Sequence, residues 1–72
     1  MKKLSEKEYK YANIEAERVR HGLSQEKLSD LLGINRRTYI YWQNKSGDIP
    51  ASKLLIMATL FNCSIDYLLQ VQ

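Results

Sequence analysis

Apolar side chains recur along the chain three and four residues apart and are separated by short polar breaks, the period of amphipathic helices. The first stretch predicts a helix from about Glu6 to His21, with Tyr11, Ile14 and Val19 on its apolar face. Arg18 and Arg20 fall in its last turn, where the helix dipole favours positive charge, and Gly22 follows as a stop. Ser24 is placed to cap a second helix over 25–32, with Glu26 near its positive end and Leu28, Leu31 and Leu32 turned inward. Gly33, free to take positive φ, ends it, and Asn35 caps a third helix over 36–44. Lys45 to Asp48 reads as a loop. Pro50 suits the first turn of a fourth helix over 51–61, lined by Leu54, Met57, Ala58 and Phe61 and ended by Asn62. Ser64 caps a short last helix over 65–70, with Ile65, Leu68 and Leu69 inward. The expectation is an all-α, compact five-helix bundle forming one domain over residues 1–72.

The second and third helices carry more than packing. Two helices meeting at a steep angle across a short turn need a small residue where their axes approach, and Ser29 fits that place. Gly33 suits the turn and Ile34 plugs the corner, while Leu28 and Leu32 are set to meet Tyr39 and Trp42. The remaining positions of the third helix, Asn35, Arg36, Arg37, Ile40, Tyr41 and Asn44, form an outward face. Such a corner can project one helix into a DNA major groove while the other crosses the backbone.

Composition narrows the function classes. With 44% hydrophobic and 26% charged residues, the chain is globular rather than disordered. The net charge of +3 is a weak pointer to an anionic partner, but its distribution is informative. Up to Ile34, seven bases nearly cancel six acids; from Asn35 to Lys45 there are three bases, Arg36, Arg37 and Lys45, and no acid. One cysteine, Cys63, leaves no internal disulfide, and reads as buried packing; no Cys and His cluster has metal-ligand spacing. The single histidine, His21, reads as a surface residue, and the carboxylates are expected on exposed helix faces, so nothing resembles an enzyme's acid, base or nucleophile. The longest apolar run, Leu54 to Ala58, is far below the ~20 residues of a bilayer span. Charge rather than an apolar signal core follows Met1, so a cytoplasmic protein is expected.

The stretch Gly22-Leu23-Ser24-Gln25-Glu26-Lys27-Leu28-Ser29-Asp30-Leu31-Leu32-Gly33-Ile34-Asn35-Arg36-Arg37-Thr38-Tyr39 resembles the phage-repressor and Cro-like helix-turn-helix family. Phe61 to Leu69 is similar to that family's closing segment, and the likeness runs from about Asn13 to Leu69. The resemblance implies a lambda-repressor-like domain that binds double-stranded DNA as a transcriptional regulator, of repressor or Cro-like type. It places Arg36, Arg37 and Tyr41 at base edges; Ile40 and Tyr41 depart from the polar residues many relatives carry there, and Ile40 is open to a thymine methyl or to a protein contact. It sets Gln25 against a phosphate, also bracing the reading helix, with Ser24, Asn35, Thr38, Asn44 and Lys45 as further backbone contacts. In relatives, an arginine matching Arg18 pairs with a glutamate late in the reading helix; here Gln43 stands there, so a neutral Arg18–Gln43 hydrogen bond is expected instead. The resemblance leaves open a homodimer through the C-terminal helix on a DNA operator. No second, ligand-sensing domain is read in the chain, so no cofactor, metal or small-molecule ligand is expected. The alternative is a protein-interaction module of the same fold, an antitoxin or polymerase-binding accessory, using Ile40 and Tyr41.

Overall fold

A computed structural model describes residues 9–44 and 48–71. Over these residues the fold is all-helical: α1 (Ala12–Arg20), α2 (Gln25–Leu32), α3 (Arg36–Gln43), α4 (Ala51–Phe61) and α5 (Ile65–Leu68). Among the described residues there is no strand. None of their helices is long and apolar enough to cross a membrane.

The caps expected of the polar breaks are formed. Ser24 Oγ accepts from the Lys27 N–H at 2.9 Å, Asn35 Oδ1 from that of Thr38 at 2.9 Å, and Ser64 Oγ from that of Tyr67 at 3.1 Å. Each satisfies a donor left without a partner in a helix's first turn. Gly33 sits at φ 71°, in the left-handed region, and its N–H and that of Ile34 close the last turn of α2 on Asp30 and Ser29 carbonyls. Ser29 is fully buried at the corner, its hydroxyl donating to the Gln25 carbonyl at 2.8 Å. Leu28, Leu32, Tyr39 and Trp42 close over one another as the pattern required, and Met57, Phe61 and Leu68 complete the core from α4 and α5.

Four expectations are corrected. Helix one does not include Tyr9, Lys10 or Tyr11; residues 6–8 lie outside those described. The turn before α1 spends its backbone groups on α3: Lys10 N–H donates to the Gln43 carbonyl at 2.9 Å and Tyr11 N–H to Gln43 Oε1 at 2.8 Å. Val19 is exposed, because five residues carry it about 140° around α1 from the buried Ile14. Leu31 is likewise turned off the α2 face that buries Leu28 and Leu32. The carboxylates of α1 are not on an exposed face: Glu15 and Glu17 are both buried. Glu17 accepts from Arg20 at 2.6 Å and from the Tyr67 hydroxyl at 3.0 Å, which ties α1 to α5. The Arg20 hydrogen bond holds its pKa below the ordinary carboxylate value, against the opposing effect of burial. Cys63 is half-buried against the core, and partial burial raises its thiol pKa.

Candidate nucleic-acid interface

The corner between α2 and α3 leaves the N-terminal ends of both helices close together. Arg36 on α3 reaches back to α2, its Nε donating to Gln25 Oε1 at 3.2 Å. Gln25 Nε2 in turn donates to the Tyr9 hydroxyl at 2.9 Å. A shallow open depression of about 360 Å³ lies here, lined by Arg18, Ser24, Gln25, Glu26 and Arg36. The positive dipole end of α2 favours an anion here, against the opposing charge of the Glu26 carboxylate in the lining.

Along α3, Asn35, Arg36, Arg37, Tyr41 and Asn44 are exposed on one side of the molecule. Thr38 is half-buried, and its hydroxyl donates to the Asn35 cap at 3.1 Å. Ile40 departs from the outward face expected of it. It is half-buried and packs against the core, since it lies next to Tyr39 and one turn from the buried Gln43. Lys45 lies outside the described residues. The face is electropositive by default: Asn35 to Asn44 holds Arg36 and Arg37 and no acid.

Helix α3 is anchored from beneath by a buried polar chain that sequence reasoning misassigned. Arg18 does not meet Gln43. Its Nε and Nη2 grip both oxygens of Glu15 at 2.9 Å, and its Nη1 donates to the Leu23 carbonyl. The other side of the Glu15 carboxylate accepts the Tyr39 hydroxyl. Gln43 Nε2 donates to the Tyr11 carbonyl at 3.2 Å and to Tyr39 Oη at 3.4 Å. Arg18, Glu15, Tyr39 and Gln43 therefore form one chain from α1 to α3, with no buried side-chain polar atom left unpartnered among the described residues. Burial and the Glu15 charge raise the pKa of Tyr39, keeping its proton on the hydroxyl; the same carboxylate raises that of Arg18. The (i, i+3) spacing of Glu15 and Arg18 was the available signal, overridden by the expectation that α1 carboxylates face solvent.

A helix-turn-helix family model matches residues 14–68, most of the chain, and takes in α2, the Gly33 turn and α3. The chain belongs to the helix-turn-helix family. It is 36% identical over 52 residues to YobD, an uncharacterised HTH-type transcriptional regulator of Bacillus subtilis (strain 168). That alignment takes in 72% of this chain but 46% of the relative, so the chain spans less than half of that protein's length. Among solved structures, a hypothetical transcription factor, NHTF, from Neisseria superimposes with a TM-score of 0.72 at 26% identity, over 93% of this chain and 79% of that one. The helix-turn-helix is thus α2, the Gly33 turn and α3, and the family is not one of enzymes.

Proposed function

We propose that the chain binds double-stranded DNA in a sequence-specific manner and serves as the DNA-binding module of a transcriptional regulator, of repressor or Cro-like type. The observation that carries this reading is the exposed α3 face, basic and acid-free, held rigidly at the Gly33 corner by a buried polar chain. In this reading α3 enters the major groove. Arg36 and Arg37 present planar donors to base edges, where arginine can take both acceptors of a guanine. Tyr41 is a third reading residue, and Ile40, half-buried, offers only part of its side chain to a thymine methyl. Gln25, Ser24 and the α2 N-terminus meet phosphates, as do Asn35, Thr38, Asn44 and Lys45. In this reading the module works in the cytoplasm.

Fluorescence anisotropy with a random-sequence duplex, repeated from low to moderate salt, tests the reading. Affinity should fall steeply, with a log–log slope of about −0.9 for each phosphate neutralised. A flat response, or binding no stronger than to an uncharged polymer, would overturn it.

The rival, a protein-binding module, draws support from exposed apolar side chains: Tyr41 is one on α3, where this reading gives it to DNA, and a group of three, Leu55, Ile56 and Leu60, lies on α4. We assign that surface to a second copy of the chain, with the segment around α5 alongside.

A further inference from the structure

Tyr9 stands outside the helix-turn-helix, three residues before α1, yet its hydroxyl touches the α2 side chain that holds Arg36. We propose that Tyr9 is a positioning residue for DNA reading: it fixes the Gln25 amide and, through it, the direction of the Arg36 guanidinium. The proposal rests on the reading of Arg36 as a base-contacting side chain.

A glutamine amide has one oxygen and one NH2. With its oxygen turned to the guanidinium, Gln25 needs an acceptor for the NH2 on the opposite side, and Tyr9 Oη provides it at 2.9 Å. The ring that carries this oxygen is buried, with 8% of the residue exposed. Its backbone is not loose either. The next two residues are bonded to Gln43 at the far end of the reading helix, through Lys10 N–H and Tyr11 N–H. The segment before α1 is therefore fixed to the C-terminal end of α3, while its Tyr9 side chain braces the N-terminal end through α2. Arg36 spends its Nε on Gln25, and among the described residues nothing accepts from its two terminal NH2 groups, which can serve as the donor pair of a bidentate base contact. A long side chain ordered before contact loses less freedom on binding, an advantage of about three- to tenfold in affinity.

The test compares wild type, Tyr9→Phe, Arg36→Met and the double variant. Each is taken through selection from a random-sequence duplex pool, and each is titrated against the duplex that wild type enriches most. The Arg36 Nε–H resonance is followed by NMR in the DNA-free proteins. Tyr9→Phe should bind that duplex about three- to tenfold more weakly and lose preference at the base-pair position that Arg36→Met also loses. In the Arg36→Met background it should cost nothing further, and in the free protein it should move the Nε–H resonance. Gln25→Met, which removes the middle of the chain, should move the same resonance and relax the same position. An unmoved resonance overturns the proposal. So does an equal affinity loss with and without Arg36, which would mean that Tyr9 touches DNA itself. An unchanged preference profile for Tyr9→Phe, where wild type does enrich a sequence, removes the role of Tyr9 and leaves the DNA reading standing. If wild type enriches no duplex at all, that reading fails and the proposal fails with it.

Discussion

Gln43 concentrates the residue-scale chemistry of this fold in one neutral side chain. It is 1% exposed, accepts one backbone N–H with its oxygen, and gives its two amide protons to the Tyr11 carbonyl and the Tyr39 hydroxyl. A glutamate in its place would lose both donors and turn a charged oxygen toward that carbonyl. The Tyr39 proton offers no relief, being already committed to Glu15. Gln43→Glu should therefore destabilise the fold by about 2 kcal/mol or more. The deficit should shrink as pH falls, because a buried carboxyl of raised pKa binds its proton more readily in the folded state than in the unfolded one. Denaturant unfolding at neutral and acid pH measures both effects. The family pattern alone would suggest the opposite sign, through a new pair with Arg18, but that guanidinium is already bidentate on Glu15. On the exposed face, Arg37→Ala should weaken the best duplex by about 1–3 kcal/mol and flatten preference at one position. Asn44→Ala, at a place proposed to meet phosphate, should weaken all sequences nearly equally. Selection profiles for the two variants distinguish reading from positioning.

At the scale of elements, the corner depends on the backbone of Gly33 more than on the space around it. A Cβ there would meet only the end of the Lys53 side chain, at 3.7 Å, so the cost of substitution lies in φ 71° itself. Gly33→Val should lower stability by about 1–2 kcal/mol or more, while Gly33→Asn, which visits this region more readily, should lose less. For a domain of this size, each kcal/mol is roughly 4–8 °C in thermal midpoint, which differential scanning calorimetry resolves. Features of this kind were legible in the sequence because their causes are local: a Ser or Asn cap, a Gly at a turn, a small Ser29 where helices cross. The start of α1 was not legible. Residues 6–11 have ordinary helical propensity, and what unwinds Tyr9 to Tyr11 is Gln43, more than thirty positions away. The burial of Glu15 and Glu17 was hidden for the same reason, since their partners Tyr39 and Tyr67 come from α3 and α5. Of the candidate interface, the outward places of Arg36, Arg37 and Tyr41 followed from periodicity, whereas the brace from Tyr9 had no local signal.

For the molecule as a whole, α4 presents an apolar surface that the described residues leave exposed. Leu55 is 58% exposed, Ile56 39% and Leu60 37%, and Val71 adds 61% beyond α5. The C-terminal helix alone offers less than the sequence suggested. α5 has four residues, with Leu68 buried and Ile65 half-buried against the core. Lys53 is the one charged residue between Ala51 and Phe61, and it is turned toward Gly33. Two copies of this face can therefore meet across a two-fold axis without like charges in opposition. Such a pairing is useful for DNA only if it sets the two α3 helices about 34 Å apart, one turn of B-DNA. Burying a carboxylate in that contact should separate the copies while leaving α3 untouched. Ile56→Glu should shift sedimentation from dimer to monomer and keep the thermal midpoint of the dilute protein. The duplexes it selects should change from two-fold repeats to single half-sites, and the salt slope should fall to about half its wild-type value as half the phosphate contacts are lost. If wild type already sediments as a monomer and selects half-sites, the α4 face serves a different protein, and the pairing of copies is wrong.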